Sequence, residues 1–534
     1  MSSADRPNRE VLRRRSQPRA RPHPGNVRHE PVIALSAELV DRLNVRVLDP
    51  ADAVQVPGQP RVKSTAYIGD RLIVSGGASD DTRSALAQAA IEHDLSIVVD
   101  VDAGHLRTAE LARRLRVTSP TMFAETVRLV AGGSTATKPP DAWRVLQSFR
   151  ALVGRDDPGQ RHVALDHLMI LAPYVSGSPY VNASRIGEYA VPGWGGRAPV
   201  AWIGPAPARR ADKALACRRP VVAVLDTGVG EHPWLTPDVV RRDASVLGVP
   251  IGVQASATDP ERTRMVTDPL GGLLDSDSGH GTFIAGLVRQ SCPDADILAI
   301  SVMAGDGGVA ESDLLDTLNL LALRQLVAQA EGNAGDLVDV LTLSLGYYHE
   351  QPDDLTYDPQ LLGPLQVLSD CGVAVVFAAG NDCTARPMYP AAFSPHPGGL
   401  IKAPQRNCPP MISVGALNPD GSVAMFSNAG PWVACHRSGA ALVSTFPVTF
   451  NAALQPALRT WVDGDGWRET IDPDDFSGGF GTWSGTSFAA PILGAQLAMA
   501  LLDNGCGPLD APDRGSMVAR AWTAVTRCVG VVRP

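Results

Sequence analysis

Residues 220–228, PVVAVLDTG, contain a run of apolar and β-branched residues that ends at an Asp-Thr-Gly turn. A short apolar run bounded by turn formers predicts a buried strand. Beyond it, apolar strand patterns at 297–302, 337–345 and 373–379 alternate with helical patterns at 280–290, 312–330 and 361–370. This alternation predicts a parallel sheet covered by helices on both faces. Residues 217–534 are therefore predicted to form an α/β domain, with three layers (α/β/α) and a mainly parallel sheet.

Residues 32–172 have a different pattern and predict a small α+β domain. Strands are predicted at 67–74, 95–101 and 163–171, and helices at 84–93, 120–131 and 143–152. The helix at 120–131 is predicted because Ser119 is a suitable N-cap, Pro120 would occupy the first helical position, and Gly132-Gly133 would end the helix. His162 and His167 are interpreted as surface or core histidines, not as ligands.

Two segments have amino-acid compositions typical of disordered arms and linkers. Residues 1–31 are predicted to be a disordered basic arm, since residues 1–30 hold eight Arg, a net charge of +5 and no apolar run. Residues 173–216 are predicted to be a linker, because 173–207 contain six Pro and six Gly.

Charge and hydropathy exclude several classes of protein. The net charge of −9 argues against nucleic acid as the main partner. No run of 18 apolar residues is present to span a membrane. The basic arm lacks the hydrophobic centre of a secretory signal, so a cytoplasmic location is expected, with export by an unrecognised route left open.

The eight cysteines all follow residue 216 and are too sparse for a disulfide scaffold. They are interpreted mostly as reduced, buried small residues, with one or two bridges left open. No Cys/His spacing indicates zinc.

Four residues that can carry chemistry stand at predicted strand or helix ends: Asp226 in VLDTG, His280 in SGHGT, Asn381 in AAGN and Ser487 in GTSFAAP. Functional groups gather at such ends in open parallel sheets. Each residue alone is explained as a turn or a helix cap. Together they supply an acid, a base, an amide donor and a nucleophile.

This combination suits nucleophilic acyl transfer. A serine hydroxyl attacks efficiently only when a neighbouring imidazole accepts its proton. A buried carboxylate holds that imidazole in the required tautomer, and fixed donors stabilise the oxyanion of the tetrahedral intermediate.

The motifs VLDTGV, SGHGTFIAG and GTSFAAP resemble the three signatures of the subtilisin-like serine proteases, the subtilase family, and AAGN resembles that family's oxyanion-hole motif. The order Asp, His, Ser is also the family's order. Over residues 217–534 the resemblance implies a serine endopeptidase acting on protein or peptide substrates through an acyl-enzyme intermediate. It implies Asp226 as orienting acid, His280 as general base and then acid, Ser487 as nucleophile and Asn381 as oxyanion donor.

The resemblance also implies a substrate cleft. Ser344, Leu345 and Gly346 are expected to pair with the substrate backbone, with Gly307 and Gly308 on the facing edge and Ala379 and Gly380 beside Asn381. An ordinary strand and turn is the alternative for these contacts. Residues 32–172 are placed as an inhibitory prodomain would be, by position and not by motif, so intramolecular inhibition and a permanent regulatory domain both stay open.

Three rival classes of enzyme account for less of the sequence. A GxSxG esterase requires Gly where Ala489 stands. An aspartic protease is suggested by Asp226-Thr227-Gly228 and Asp277-Ser278-Gly279 but leaves the Ser487 and Asn381 motifs unexplained. A carboxyl-type serine protease uses Glu as base, against which the HGT motif argues. The second functional class retained is a catalytically silent module of the same fold, used for binding or regulation.

Three inserted segments, 253–270, 395–410 and 454–480, depart from compact family members, so substrate preference is not carried over. No cofactor is predicted, and a structural calcium ion is left open without a motif that supports it. The acidic stretch at 463–475 is broken by Trp467 and Arg468 and does not match a calcium-binding EF-hand loop.

Overall fold

The computed structural model describes residues 30–31, 33, 35–99, 104–115, 123–133, 139–154, 157–171, 196–254, 259–263, 270–351, 360–503 and 509–534. The basic arm predicted for residues 1–31, except its last two residues, and residues 172–195 of the predicted linker lie outside the described residues. The described residues form an N-terminal unit (residues 35–171) and a C-terminal unit (residues 196–534).

The N-terminal unit is an α+β fold with an antiparallel sheet, as expected. Strand β2 is central: it pairs with β1 and β4 along one edge and with β5 along the other, and β3 pairs with β4. The elements are α1 (Ala37–Leu43), β1 (Val45–Leu48), β2 (Thr65–Ser75), α2 (Asp80–Ile91), β3 (Leu95–Val99), α3 (Gly104–Arg114), β4 (Ala124–Ala131), α4 (Ala142–Val153) and β5 (Val163–Leu171).

The helix predicted at 120–131 is wrong, because residues 124–131 form strand β4 between β2 and β3. Thr126, Val127 and Val130 are β-branched and suit a pleated surface. Two neighbouring strands supply backbone partners over the length of this segment. Tertiary pairing therefore overrides the local signals that favoured a helix.

The C-terminal unit is built on a seven-stranded sheet in which every pairing is parallel, in the order β17-β16-β15-β13-β7-β11-β8. This arrangement confirms the predicted α/β class. Its strands are β6 (Ala198–Pro199), β7 (Val221–Asp226), β8 (Val240–Arg241), β9 (Ser245–Val246), β10 (Val249–Pro250), β11 (Asp296–Ser301), β12 (Gly308–Ala310), β13 (Val340–Leu343), β14 (Leu345–Gly346), β15 (Ala374–Ala378), β16 (Ile412–Leu417), β17 (Cys435–Ser438), β18 (Leu442–Thr445), β19 (Arg459–Val462), β20 (Gly466–Glu469) and β21 (Phe480–Trp483). Its helices are α5 (Pro260–Thr263), α6 (His280–Ser291), α7 (Glu311–Glu331), α8 (Leu362–Asp370), α9 (Thr486–Leu502) and α10 (Arg514–Val529).

Two apolar cores cover the faces of this sheet. Side chains alternate along a strand, so Val222 and Val224 of β7 enter one core with residues of α6 and α9. Val221 and Leu225 enter the opposite core with residues of α7 and α8. A strand buried on both faces reads as a continuous apolar run, which is why β7 was detectable in the sequence.

The two units share a sheet. Strand β5 of the N-terminal unit lies between β12 and β14 of the C-terminal unit and pairs antiparallel with both. Within the described residues, no helix has the length and apolar character needed to cross a membrane.

Candidate active site

Asp226 and His280 form a buried pair at the carboxyl end of the parallel sheet. Asp226 ends β7 and His280 begins α6. The Nδ1 atom of His280 lies 2.8 Å from Oδ1 of Asp226, and the main-chain N–H of Thr227 donates to the same oxygen at 2.8 Å. Because Nδ1 donates to a carboxylate, Nε2 of the neutral ring is an acceptor.

The close approach of the two segments requires glycine at position 281. A Cβ atom there would lie 2.1 Å from the carbonyl oxygen of Gly228. The N–H of Gly281 donates to Oγ1 of Thr227 at 2.9 Å. The glycine therefore lets the start of α6 rest directly against the turn that follows Asp226.

The pKa of His280 is raised above 6.5. Burial by itself lowers this pKa, but the adjacent Asp226 carboxylate outweighs it, assisted by Asp277 and Glu261. The environment thus favours the imidazolium, which is the state a general base reaches during serine attack.

Ser487 and Asn381 meet at the start of helix α9. Ser487 is the second residue of the helix, and Oδ1 of Asn381 accepts from the N–H and the hydroxyl of Thr486, both at 2.8 Å. This anchoring leaves the Nδ2 amide on the other side, 3.2 Å from where a Cβ of Gly485 would stand. Asn381 is thereby oriented with an N–H donor toward the residues that precede Ser487.

The Ser487 hydroxyl donates to the main-chain oxygen of Ser344 at 3.3 Å, and the Ser344 hydroxyl donates back to the Ser487 carbonyl at 2.9 Å. The His280 ring lies against Phe488, the next residue of α9, with ring centroids 5.1 Å apart. The predicted role of Ser487 as nucleophile requires its hydroxyl to exchange the Ser344 oxygen for Nε2 of His280.

The predicted substrate-binding edges are occupied by strand β5. Leu345 and Gly346 pair with Leu171 and Ile170, and Gly308 pairs with Ile170 on the other side. The N–H of Leu171 donates to the oxygen of Gly307 at 2.9 Å.

Alternate side chains of β5 enter the C-terminal unit, because Met169 and Leu171 are buried in its core.

Ala379 and Gly380, also predicted to bind substrate, do not pair with β5. The N–H of Ala379 donates to the Val414 oxygen, and the N–H of Gly380 donates to Thr486 Oγ1. A role in substrate binding stays a prediction for these two residues.

The N-terminal unit also contacts helix α7. Asp166 accepts hydrogen bonds from the N–H of Ser312 at 3.0 Å and from its hydroxyl at 2.7 Å. The N-cap residue of α7, Ala310, has no side chain able to do this. A residue of one unit therefore caps a helix of the other. On the edge of the same surface, the Arg42 guanidinium donates to both carboxylate oxygens of Asp306.

His167 is a core histidine, as interpreted, but it bridges two acidic side chains. Its Nδ1 lies 2.7 Å from Glu311, its Nε2 lies 3.0 Å from Glu350, and its ring stacks on Tyr347. Although burial opposes charge, the two carboxylates raise the pKa of His167 to about 9. His167 is therefore an imidazolium held between two carboxylates across the interface.

Among the described residues, His167, His349 and Glu350 are the group whose ligand atoms come close enough for a metal, within 4.8 Å. Hydrogen bonds already occupy these atoms. Nδ1 of His349 accepts from the N–H of Gln351, so its Nε2 carries the proton, and both nitrogens of His167 face carboxylates. The group does not fit a metal ion.

Three further residues near the site were not assigned to it from the sequence, although Asp277 was named there for the aspartic-protease alternative. Glu261, in the predicted insertion 253–270, is buried beside the Asp226–His280 pair, and burial raises its pKa to about 7. Asp277 is buried under the edge strand, since a Cβ at Gly307 would lie 2.5 Å from its Oδ2. Asn428 donates to the carbonyl of Ala379 at 2.9 Å and so holds the Asn381 turn. Only Asp277, close to the HGT motif, had a sequence signal.

Some other predictions fall outside the site. The seven described cysteines are free: Cys217, Cys292, Cys371, Cys383, Cys408, Cys435 and Cys528. The acidic stretch at 463–475 begins in the turn of the β19–β20 hairpin, where Asp465 pairs with Arg468 and the exposed rings of Trp461 and Trp467 meet across the strands.

Comparison with known proteins gives concordant results for the C-terminal unit. The profile of the Subtilase family matches residues 218–505. The chain is 24% identical over 298 residues to subtilisin-like protease 4 of Trichophyton rubrum, covering 55% of this chain and 60% of that one. It is 25% identical over 293 residues to an intracellular serine protease of Paenibacillus polymyxa, covering 52% and 65%.

Among solved structures, the chain is similar to fervidolysin from Fervidobacterium pennivorans, described as a keratinolytic enzyme related to subtilisin. The TM-score is 0.44 at 17% identity, over 84% of this chain and 58% of that one. The matches to the two proteases span 60% and 65% of those proteins' lengths.

Proposed function

The chain belongs to the subtilase family, and we propose that it is a serine endopeptidase that hydrolyses peptide bonds through an acyl-enzyme intermediate. The observation that carries the proposal is the buried hydrogen bond of 2.8 Å between Asp226 and His280, beside the helix that begins with Thr486 and Ser487. This bond leaves Nε2 of His280 as the acceptor that a serine nucleophile needs.

The proposed reaction follows from these positions. Oγ of Ser487 attacks the carbonyl carbon of the scissile bond while its proton passes to Nε2 of His280. Nδ2 of Asn381 and the N–H of Ser487, at the positive end of α9, donate to the oxyanion that forms. The C–N bond then breaks as His280 returns the proton to the amine, and water repeats the sequence on the acyl-enzyme.

We also infer that the N-terminal unit inhibits this activity in the intact chain. The antiparallel pairing of β5 with β12 and β14 supports this inference, because an extended substrate would use the same backbone partners. A substrate and β5 cannot both occupy these edges. The described part of β5 ends at Leu171, opposite Leu345, one residue from Ser344, whose oxygen accepts the Ser487 hydroxyl. If the unit is removed by self-cleavage, the cut is expected beyond β5.

The test is the intact mass of the purified protein before and after a fluorophosphonate probe, beside a Ser487→Ala control. One adduct that maps to Ser487 is the expected result, together with hydrolysis of casein that disappears in the control. If there is no adduct and no hydrolysis, even after limited proteolysis has removed the N-terminal unit, the catalytically silent module is supported instead.

The same measurement tests inhibition. An adduct on a chain shortened beyond residue 171 indicates a removable prodomain, provided that Ser487→Ala stays full length. An adduct at full occupancy on the uncut chain means that β5 does not block Ser487, and residues 35–171 are then a permanent domain.

A further inference from the structure

Glu261 is a buried carboxylate that the reaction above does not use. It lies on α5, inside the predicted insertion, and it is 1% exposed. Its Oε1 accepts from Thr227 Oγ1 at 2.5 Å and from the N–H of Gly279 at 3.0 Å. Its Oε2 accepts from Thr282 Oγ1 at 2.5 Å.

These three donors belong to the two segments that carry the acid and the base. Thr227 follows Asp226, while Gly279 and Thr282 flank His280 on the first turn of α6. One carboxylate therefore connects the end of β7 to the start of α6 independently of the Asp226–His280 bond. Because all three partners donate, the arrangement is complete only when Glu261 is ionised.

The hydroxyl of Thr227 shows why this matters for the reacting groups. Its single proton has two acceptors within reach, Glu261 at 2.5 Å and Oδ1 of Asp226 at 3.3 Å. The hydroxyl therefore donates its proton to Glu261, the nearer acceptor. Oδ1 of Asp226 is then left to His280 Nδ1 and to the N–H of Thr227, and the Thr227 oxygen accepts from Gly281.

We propose that Glu261 is a positioning residue of the Asp226–His280 pair: it holds the Thr227 hydroxyl away from Asp226 and ties the two segments together. The proposal deepens the proposed function and rests on it for any readout of turnover. Without this carboxylate, the Thr227 proton turns to Asp226 and competes with His280 for the same oxygen.

The charges around Glu261 agree with this role. Asp259 on the same segment repels the Glu261 carboxylate, and Arg242 attracts it. Like Asp226 and Asp277, Glu261 raises the pKa of His280. Burial is the main cause that raises the pKa of Glu261 to about 7, and the three hydrogen bonds oppose it. Loss of the Glu261 charge is therefore expected to lower the pKa of His280.

The experiment compares Glu261→Gln, Glu261→Asp and the wild type, with Glu231→Gln as the matched control because Glu231 is an exposed glutamate on a nearby loop. We expect Glu261→Gln to reduce kcat by about tenfold to 100-fold with little change in KM, since misplacement of a reacting group by about 1 Å has effects of that size. The acid limb of its pH–rate profile should move to lower pH. Glu261→Asp, which keeps the charge, should lie between it and the wild type.

A spectroscopic readout separates this proposal from the function itself. The hydrogen-bonded Nδ1 proton of His280 should give a far-downfield proton resonance, assigned by its loss in His280→Ala and titrated in the Ser487→Ala background. Glu261→Gln should shift this resonance and lower the pH at which it titrates; Glu231→Gln should not.

An unmoved resonance and an unmoved pH profile in a folded Glu261→Gln protein would overturn the positioning role. If Glu261→Gln does not fold, the same two readouts in Glu261→Asp decide: a shift supports the role and none overturns it. A wild-type protein that neither hydrolyses peptides nor reacts with the probe would refute the proposed function, while the resonance would still decide the role of Glu261.

Discussion

The imidazole of His167 on β5 lies 2.7 Å from the carboxylate of Glu311, the first residue of α7. This contact joins the strand that fills the predicted substrate cleft to a helix that flanks the cleft. With Glu350 on its other nitrogen, His167 forms a buried bridge whose strength depends on its charge. The attachment of the N-terminal unit is therefore expected to respond to pH.

The pH response has a defined sign. The pKa of His167 is raised from 6.5 to about 9, so its contribution to stability is fully present below pH 6.5 and is lost as the pH rises through about 9. The titratable groups that face this ring are Glu311, Glu350 and His349, and Arg150 pairs with Glu350 behind them.

Two of these groups set the acid side of the response. The pKa of Glu350 is lowered: burial opposes this, but His349, His167 and Arg150 outweigh it, so the contribution of Glu350 to stability is present above pH 4.5 and decreases as the pH falls below that. Burial holds the pKa of His349 at about 4, and it stays neutral over the alkaline window.

The measurement is the unfolding temperature of Ser487→Ala and of Ser487→Ala/His167→Gln between pH 6 and 10. The difference between the two proteins should be largest near pH 6 and should shrink through about pH 9. His162→Gln is a suitable control. Within the described residues, the side chain of His162 forms its hydrogen bond with Ser75, a residue of the same unit. A difference that is constant with pH would contradict the charged bridge.

Asp166 is expected to stabilise α7 as an N-cap supplied by the other unit. Asp166→Ala should reduce the free energy of unfolding by about 1 kcal/mol, the usual effect of removing such a cap. Asp166→Asn keeps an oxygen acceptor for Ser312 and should lose less. Chemical denaturation of both variants in the Ser487→Ala background measures this, and equal losses would argue against capping.

Asn381→Ala should lower kcat by about 10² to 10³ with little effect on KM, because the oxyanion forms only in the transition state. That range is the one measured for the oxyanion-hole asparagine of subtilisin and is carried over from it. Steady-state hydrolysis of a peptide substrate gives the value, with the exposed Asn451→Ala as control. Undiminished turnover would remove Asn381 from the oxyanion hole.

Activity should rise with pH as His280 loses its proton. The pKa of His280 is raised because Asp226 outweighs the effect of burial, so the acid limb of kcat/KM should lie above pH 6.5. Asp226→Asn should remove most of the turnover, since the tautomer and the imidazolium both lose their support. An optimum near pH 3–4, where ordinary carboxylates titrate, would contradict a histidine base.

Gly281→Ala should destabilise the protein and abolish most activity. Its methyl group would stand 2.1 Å from the Gly228 oxygen, so the start of α6 must move away from the Asp226 turn. We expect a loss of about 1–3 kcal/mol in stability, as for other overpacked sites. Gly478→Ala is the matched control, because a Cβ there meets no atom within 4 Å. Thermal unfolding and turnover of both variants check the expectation.

Much of the candidate site was predictable because it depends on local patterns. Asp226, His280, Asn381 and Ser487 stand where strands end or helices begin, and those ends follow from apolar runs and turn residues that a sequence displays. Glu261 gave no such signal. A lone glutamate in an inserted segment looks like any solvated side chain until its three donors are known.

The N-terminal unit shows the same division. Its strands β2 and β5 and its helix α4 were predicted from apolar runs and from helical spacing, yet residues 124–131 were assigned to a helix and form β4. Neighbouring strands decided that segment, and neighbours are not local information.

The sequence by itself determined the α/β class, the four candidate reactive residues and the presence of a second unit, because periodicity and motif spacing are properties of the chain. Only the tertiary structure decided that β5 lies between β12 and β14, that His167 joins Glu311 to Glu350, and that Glu261 reaches the Asp226–His280 pair. These contacts join residues far apart in the chain. Their energies come from burial and hydrogen bonding that exist only once the chain has folded.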